Sequence, residues 1–230
     1  MIGIIGAMKI EIEKTEDLLE NKTEKLISGV RFVSGTLHGR EVVTAVCGIG
    51  KVAAAICTEA MILEYKPDCI INTGVAGGLA DDIDVCDVVI AESLVQHDMD
   101  TTAIGDAPGL ISGLNIVYIP TDDKVSQALS EAAETVGTFK VKRGRIASGD
   151  QFIADAGKKE FIIKTFGASA CEMEGASIAQ VCYSNSMPFG VVRAISDKAD
   201  GSGHIDYSQF LPLAAENAAK IIENFVKIYK

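Results

Sequence analysis

Short apolar runs rich in β-branched residues alternate along the chain with segments whose apolar residues recur every three or four positions. Such runs predict buried strands and such segments predict helices. Their alternation predicts an α/β fold, with a mostly parallel sheet covered by helices on both faces. The strand-like runs are 2–7, 42–47, 69–72, 85–94, 141–147, 168–171 and 189–192, and the helical segments are one through Leu18 and Leu19, then 52–65, 124–136 and 176–183.

One pair of strand-like segments is expected to run antiparallel. The segment 27–37 is followed by the turn residues His38, Gly39 and Arg40, and the run 42–46 comes almost directly after them. Two strands joined by a short turn that contains glycine predict a β-hairpin. The sheet is therefore expected to be mixed.

The chain closes with a segment whose apolar residues recur at helical spacing. We interpret this stripe as a core-facing surface of an amphipathic helix, because the polar face is not basic enough for a membrane-binding helix. The stripe consists of Phe210, Leu213, Ala214, Asn217, Ala218, Ile221, Phe225 and Ile228.

Composition narrows the class of partner. The chain has 230 residues, of which 32 are acidic and 21 basic, and its formal net charge is −11. This charge is spread along the chain, so binding to nucleic acid or to an anionic membrane is not expected, and a small-molecule substrate is favoured. No low-complexity or Ser/Pro-rich stretch divides the chain, so residues 1–230 are predicted to form a single domain.

The sequence carries no recognisable targeting or membrane segment. No uncharged apolar stretch reaches the roughly 20 residues that a membrane-spanning helix needs. The apolar residues 1–8 lack a basic lead-in and run straight into Lys9, Glu11 and Glu13, so they predict a first strand rather than a signal peptide. We expect a soluble, cytoplasmic protein.

Neither the cysteines nor the histidines predict a metal site. His97, Asp98 and Asp100 suggest metal ligands, but the chain has only three histidines, and a solvated or interface loop is the better interpretation. The cysteines form no Cys-x-x-Cys pair, so buried free thiols are expected rather than zinc ligands or disulfides. No cofactor or metal is expected. The cysteines are Cys47, Cys57, Cys69, Cys86, Cys171 and Cys182.

Acidic residues follow several of the predicted strands. Glu174 comes just after the run 168–171, and Asp197 follows the run 189–192. Strand ends of this kind deliver side chains into the crevice beside an α/β sheet, where buried acids have shifted proton affinities. Each acid, including Glu11 after the first strand, could instead begin a helix or a turn. Glu11, Glu174, Asp197 and Gly74 all follow predicted strands. This shared position favours one carboxylate-based site.

Two glycine-rich segments follow strands and are interpreted as turns. They are 48–51 and 74–78, and neither matches a nucleotide-phosphate fingerprint. Either turn could line a pocket or simply pack tightly. A third segment, 148–153, places Phe152 beside backbone donors, which suits a planar base, although a turn with one core phenylalanine is an equal alternative. These segments are candidates for lining the predicted crevice, but they do not identify a ligand.

The order and spacing of six segments are more specific than any one of them. They extend from the first strand almost to the last helix. The segments are Gly6-Ala7-Met8 with Glu11, Gly48-Ile49-Gly50-Lys51, Asn72-Thr73-Gly74-Val75-Ala76-Gly77-Gly78, Ser148-Gly149-Asp150-Gln151-Phe152, Glu172-Met173-Glu174 and Arg193-Ala194-Ile195-Ser196-Asp197.

Together these segments resemble the 5'-methylthioadenosine/S-adenosylhomocysteine nucleosidases of the nucleoside phosphorylase superfamily. The resemblance implies a three-layer α/β/α fold around a mixed, mostly parallel twisted sheet, assembled as a homodimer. It also implies hydrolysis of the bond that joins adenine to a 5'-thio-substituted ribose, with 5'-deoxyadenosine as a further candidate substrate. Such a reaction needs a proton donor at the base and an activated water at the sugar.

The resemblance assigns a role to each carboxylate. Asp197 would protonate N7 of adenine with the help of Ser196, and Glu11 would orient and deprotonate the attacking water. Glu174 would accept hydrogen bonds from the ribose 2'- and 3'-hydroxyls, because an ionised carboxylate offers two acceptor oxygens. Met173 would pack against the sugar.

The remaining site residues are also implied by the resemblance. Phe152 would stack on adenine and the backbone of Ile153 would read its edge, while Arg193 would hold the acidic cluster and the water. A further group would surround the sugar and the 5'-thio group, and another would reach into the pocket of the neighbouring subunit. The first group is Met8, Ile49 and Tyr207, and the second is Thr101 and Ile104; Val75 and Gly77 are further substrate-binding residues.

Four positions depart from the common pattern of the family. Val75 stands where many relatives carry serine, Lys9 and Ile10 replace residues that are often acidic, and Tyr207 stands where phenylalanine is common. None of these changes removes a carboxylate. Three alternatives remain open: a purine nucleoside phosphorylase, a nucleosidase for a futalosine-type substrate, and a non-catalytic nucleoside-binding module.

Overall fold

A mixed sheet between two layers of helices forms the framework of the molecule. The computed structural model describes residues 1–137, 139–199 and 203–229, and over 203–208 it describes the helix but not the side chains. The predicted α/β architecture is confirmed. The strands are β1 (Ile2–Gly6), β2 (Glu20–Ile27), β3 (Val30–Leu37), β4 (Arg40–Val46), β5 (Cys69–Gly78), β6 (Val88–Gln96), β7 (Ile119–Pro120), β8 (Val141–Ser148), β9 (Ala170–Glu172) and β10 (Phe189–Asp197).

The helices divide between the two faces of the sheet. On one face α2 and α5 bury small and aliphatic side chains, and on the other α1, α3 and α6 form a second apolar core with the opposite sides of the strands. Strand residues point alternately to the two faces, which supplies both cores from the same strands. The helices are α1 (Lys9–Asp17), α2 (Lys51–Tyr65), α3 (Asp123–Val136), α4 (Ala156–Phe166), α5 (Gly175–Ser184) and α6 (Gly203–Ile228), with a short 3-10 helix at Thr102–Ile104.

The N-terminal half of the sheet follows the predicted pattern with one addition. β1 lies parallel to both β4 and β5, and β3 and β4 form the predicted antiparallel hairpin. β2 extends this hairpin as an antiparallel edge strand. The sequence gives no apolar alternation over β2, because all but its last residue are exposed. An edge strand of this kind has no buried face, so its sequence shows no hydrophobic pattern that predicts it.

Five strands of the other half close into a ring. β5 pairs with β10, β10 with β6, β6 with β8 and β8 with β9. β9 then pairs antiparallel with the last residues of β5, which completes the circuit. The predicted acidic strand ends are therefore not direct neighbours, since β9 and β10 both flank β5. The ring nevertheless brings the ends of these three strands together.

The prediction of a glycine-rich turn over 74–78 is wrong, because these residues continue β5. Gly74 lies opposite Arg193 of β10, and Gly77 lies opposite Cys171 of β9. A Cβ atom on Gly74 would lie 2.5 Å from Oε1 of Glu11. Glycine is therefore needed here for close approach of a side chain to the strand rather than for a change of chain direction.

The last helix follows the predicted stripe over most of its length. Ala214, Ala218, Ile221 and Phe225 are fully buried, and Asn217 is 5% exposed. The prediction is wrong for Leu213 and Ile228, which are 47% and 41% exposed, so the core-facing stripe is narrower than the spacing indicated. Phe210 is half-buried.

The described residues also bear on the expectations for thiols, membrane-spanning helices and metal clusters. All six cysteines are free thiols, five of them buried and Cys86 half-buried. Among the described residues no helix combines the length and the apolar character needed to cross a membrane. Within the same residues, no cluster of three His, Cys, Asp or Glu side chains could hold a metal ion.

Candidate active site

A cleft opens where the ends of β5, β9 and β10 meet the N-terminal ends of α1 and α2, and it measures about 520 Å³ when the solvent-filled space at its mouth is included. Glu11, Glu174 and Asp197 all line it, so the predicted shared crevice places three carboxylates in one cavity. The lining residues are Ala7, Met8, Glu11, Ile49, Val75, Ala76, Gly77, Phe152, Cys171, Glu172, Met173, Glu174, Ser196 and Asp197.

Glu11 is fixed by backbone donors from the segment after β1 and from β5. It lies in the first turn of α1, where the helix dipole favours a carboxylate. Its Oε2 accepts hydrogen bonds from the N–H groups of Ala7 and Met8 at 2.8 and 2.9 Å, and its Oε1 accepts one from Val75 at 3.0 Å. Burial raises the pKa of Glu11, and the nearby charge of Arg193 and these N–H groups offset the rise only in part. A carboxylate with a raised pKa is a stronger base.

Arg193 lies beneath the cleft and is 1% exposed. One terminal nitrogen, Nη2, donates to Oδ1 of Asn72 and to Oε2 of Glu172, and it lies 3.8 Å from Oε2 of Glu174. Burial would lower the pKa of this guanidinium, but the charges of Glu172, Glu174 and Glu11 raise it overall. Arg193 therefore stays charged and acts as the counter-ion of the acidic cluster.

Glu174 stands at the entrance to α5 with its side chain directed into the cleft. Oε1 accepts a hydrogen bond from the Gly50 N–H at 2.8 Å. Burial and the neighbouring charge of Glu172 raise the pKa of Glu174 to about 7, although Arg193 and the Gly50 N–H act in the opposite direction. Its protonation state therefore changes near neutral pH.

A β-bulge brings Ser196 and Asp197 to the same cleft. In a regular strand adjacent side chains point to opposite faces, but the pairing of β10 with β5 shifts register between Ile195 and Asp197. Ser196 Oγ donates to Oδ2 of Asp197 at 2.9 Å, and Oδ1 accepts from the Ala199 N–H at 2.9 Å. Both residues are almost fully buried and both line the cavity.

Two exposed apolar side chains form the outer wall. Phe152 is 48% exposed and Ile49 is 62% exposed, and both line the cleft. Exposed aromatic and aliphatic groups beside a polar floor provide a surface for a flat, apolar ligand group. Met8, Val75, Gly77 and Met173 also line the cleft.

The structure does not bring every predicted site residue to the cleft. Ile153 is 5% exposed and packs in a neighbouring apolar core, so only its backbone could face a ligand. Thr101 and Ile104, which are predicted to reach the pocket of the neighbouring subunit, lie outside the cavity of their own chain, and Ile104 is 82% exposed. The side chain of Tyr207 lies outside the described residues.

Glu172 has no predicted role, although it belongs to the same acidic segment as Glu174. Its Oε2 accepts from the N–H groups of Glu174 and Gly175 at 3.0 and 2.7 Å, and its Oε1 accepts from Ser148 Oγ. Glu172 therefore fixes the backbone that carries Glu174. Only its spacing of two residues from Glu174 could have indicated this role.

The expectation of a solvated loop at His97 is wrong for its side chain. His97 is 9% exposed, and its Nε2 has no hydrogen-bond partner among the residues that the structure describes. Burial lowers the pKa of His97. A Cβ on Gly149 would contact this ring, so the glycine of the 148–153 segment makes room for it.

Comparison with known proteins assigns the chain to a family. The profile of the phosphorylase superfamily matches residues 1–227. A 5'-methylthioadenosine/S-adenosylhomocysteine nucleosidase of Shewanella piezotolerans is 40% identical over 227 residues, which make up 98% of each chain. The chain belongs to this nucleosidase family. The family resemblance of the six segments is thereby confirmed.

Solved structures agree with the assignment to the nucleosidase family. The family enzyme of Neisseria meningitidis, in complex with methylthio-immucillin-A, has a TM-score of 0.95 and 39% identity, with 98% of each chain covered. A futalosine hydrolase of Helicobacter pylori has a TM-score of 0.94 and 37% identity, covering 98% of this chain and 97% of that one. The predicted nucleoside phosphorylase-like fold is therefore confirmed.

The titration of Glu174 predicts a pH-dependent stability. Its pKa is raised from 4.5 to about 7 on folding, so the folded protein binds this proton more tightly than the unfolded chain. The resulting stabilisation is complete below pH 4.5 and is lost as the pH rises through about 7. At about 1.4 kcal/mol per pKa unit, the contribution is about 3 kcal/mol. Relative to wild type, Glu174→Gln should become more stable as the pH rises, as measured by urea unfolding between about pH 5 and 8.

Proposed function

We propose that the protein hydrolyses the N-glycosidic bond of 5'-methylthioadenosine and S-adenosylhomocysteine. The products are adenine and the 5'-thio-substituted ribose, and 5'-deoxyadenosine is a further candidate substrate. The observation that carries this proposal is the convergence of Glu11, Glu174 and Asp197 on one cleft with an apolar outer wall. Family membership supports the substrate class, because the curated relatives are nucleosidases for these two compounds.

Asp197 is the proposed acid. Breaking the bond leaves negative charge on the departing base, and a proton donated to N7 of adenine neutralises it. The hydrogen bonds from Ser196 Oγ and the Ala199 N–H hold the two carboxyl oxygens in fixed positions. A preorganised donor of this kind needs little rearrangement in the transition state.

Glu11 is the proposed base, and it acts on the water that attacks the sugar. Its three backbone hydrogen bonds fix its orientation, and its raised pKa increases its strength as a base. Positive charge that develops on the ribose in the transition state is stabilised by the neighbouring carboxylates. Arg193 holds these carboxylates together from below and does not line the cleft.

The remaining contacts position the nucleoside. Glu174 accepts hydrogen bonds from the 2'- and 3'-hydroxyls of ribose, and Met173 packs against the sugar. Phe152 stacks on adenine, whose edge meets the backbone of Ile153. Met8 and Ile49 contact the sugar and the 5'-thio group, and Val75 and Gly77 complete the lining of the substrate site.

Hydrolysis is favoured over phosphorolysis by the charge of the cleft. A phosphorylase has to bind a phosphate anion, and arginine is the side chain best suited to that task. Among the residues that the structure describes, the cleft lining includes no arginine, lysine or histidine. Arg193 lies beneath the lining and is paired with Glu172. Water is therefore the better nucleophile for this site.

The active unit is proposed to be a cytoplasmic homodimer in which each chain forms one nucleosidase domain. Thr101 and Ile104 would complete the pocket of the partner subunit. Apolar side chains exposed on α2 and in the 101–104 segment support this assembly, since Val52, Leu63 and Ile104 are 71%, 66% and 82% exposed. Burial of such side chains is the usual driving force for association.

A futalosine-type nucleosidase is the second candidate. The specific observation in its favour is the TM-score of 0.94 with the H. pylori futalosine hydrolase. This candidate uses the same carboxylates and differs in the group attached at the 5' position. The two candidates therefore predict the same chemistry on different substrates.

Adenine release in phosphate-free buffer tests the proposed function. The substrates are 5'-methylthioadenosine, S-adenosylhomocysteine, 5'-deoxyadenosine and adenosine, with futalosine assayed by hypoxanthine release. We expect turnover of the two thio-nucleosides without phosphate and free ribose derivatives as the second product. A sugar 1-phosphate formed only when phosphate is added would contradict hydrolysis, and turnover of futalosine alone would select the second candidate.

Asp197→Asn tests the assignment of the acid. An amide cannot donate the proton, so kcat is expected to fall by about 10²- to 10⁴-fold, while calorimetry should still detect nucleoside binding. Asp155→Asn is the matched control, because Asp155 caps α4 outside the cleft and accepts from the Lys158 N–H. Unchanged kcat in Asp197→Asn would contradict the assignment.

A further inference from the structure

We propose that Lys51 and Asp98, neither of which lines the cleft, are positioning residues for the nucleosidase reaction. Their ion pair fixes two segments that carry the outer wall of the site, the 48–51 turn with Ile49 and the 148–153 segment with Phe152. This inference rests on the proposed function, because it assigns the ion pair an effect on substrate binding. It concerns a group of side chains behind the cleft rather than the carboxylates inside it.

The ion pair is short and largely buried. Nζ of Lys51 lies 2.6 Å from Oδ1 of Asp98, and the two side chains are 19% and 16% exposed. The same Nζ donates to Oε1 of Gln96 at 3.1 Å, and Gln96 in turn donates to Gln180 of α5 at 2.6 Å. Solvent screens a pair in this position much less than a surface pair. It can therefore hold its backbone segments in place.

Asp98 connects the pair to the proposed adenine-binding segment. Its second oxygen, Oδ2, accepts from the N–H of Asp150 at 2.9 Å. Asp150 Oδ1 then accepts from the Lys51 N–H at 2.8 Å, which closes a circuit through both segments. Phe152 stands two residues beyond Asp150, so this circuit determines where the aromatic ring can lie.

The 48–51 turn connects the same circuit to the proposed ribose-binding carboxylate. The Gly50 N–H donates to Oε1 of Glu174 at 2.8 Å, and the Lys51 carbonyl accepts from Ser177 Oγ at 2.6 Å. Gly50 has φ +97°, and a Cβ there would lie 2.9 Å from Asp150 Oδ1. Movement of Asp150 would therefore disturb the turn that orients Glu174.

The role of the pair is consequently indirect. Removal of the Lys51 ammonium leaves Asp98 half-buried without its strongest donor and frees the two segments to move apart. Misplacement of binding groups by about 1 Å can cost on the order of 100-fold in rate. We expect Lys51→Met to raise KM and to lower kcat/KM by about 10- to 100-fold.

The test compares Lys51→Met with Lys142→Met. Lys142 forms a 2.7 Å ion pair with Asp82 outside the cleft, with 28% and 55% of the side chains exposed. Both variants lose one ammonium, but only Lys51→Met should lower kcat/KM for 5'-methylthioadenosine. Lys51→Arg should recover most of the loss, because it retains the charge. A kcat/KM of Lys51→Met within about twofold of the control would overturn the inference.

A double-mutant cycle with Glu174→Gln separates positioning from general loss of structure. If Lys51 acts through Glu174, the effect of Lys51→Met on KM should be much smaller in the Glu174→Gln background than in wild type. Fully additive effects would contradict action through Glu174. A merely structural defect would lower the melting temperature and the active fraction equally in both backgrounds.

Amide hydrogen exchange tests the inference independently of turnover. Peptides covering 48–51 and 148–153 should exchange faster in Lys51→Met than in Lys142→Met, and unchanged exchange would contradict the proposed restraint. If wild type released adenine from none of the nucleosides, the proposed function would fail. The exchange data would then still decide whether the ion pair holds the two segments.

Discussion

The buried guanidinium of Arg193 makes it possible for one cleft to contain so many carboxylates. Glu172, Glu174 and Glu11 surround a side chain that is 1% exposed. A buried cation is costly unless it is paired and hydrogen-bonded, and buried carboxylates close to one another repel. Each charge offsets the desolvation of the others. The acids can therefore remain partly dehydrated, which raises the pKa of Glu11 and of Glu174.

The closed ring of strands places this cluster beneath the cleft. β10 contributes Arg193, β9 contributes Glu172, and β5 contributes Asn72 and the bare backbone at Gly74. The bulge in β10 then re-aims the strand end, so that its acid lies in the cavity above. The fold and the chemistry depend on the same strand pairings. In the proposed mechanism, the ring positions the acid at the end of β10 and the ribose ligand just after β9, while the base lies in α1, which follows β1 beside β5.

Much of this arrangement could be predicted from the sequence, because apolar runs and acidic strand ends are local signals. Contacts between distant residues were not predictable in the same way. β2 is an exposed edge strand, so its polar sequence has no apolar alternation from which a strand could be predicted. Gly74 resembles a turn residue, because its partner Arg193 lies far along the chain. Glu172 and Lys51 belong to segments that the sequence identifies as motifs. Their hydrogen-bond and ion-pair partners, however, depend on tertiary packing. The role of a residue whose partner lies across the sheet can be assigned only when the fold is known.

Arg193 and Glu172 form a buried ion pair that stabilises the acidic cluster. A double-mutant cycle on the free energy of unfolding, with Arg193→Met, Glu172→Gln and the double variant, tests this stabilisation most directly. Each single change leaves a buried charge without its partner and should cost about 3 to 5 kcal/mol. The double variant should lose clearly less than the two single losses combined, with a coupling above about 1 kcal/mol. Additive losses would contradict the claim.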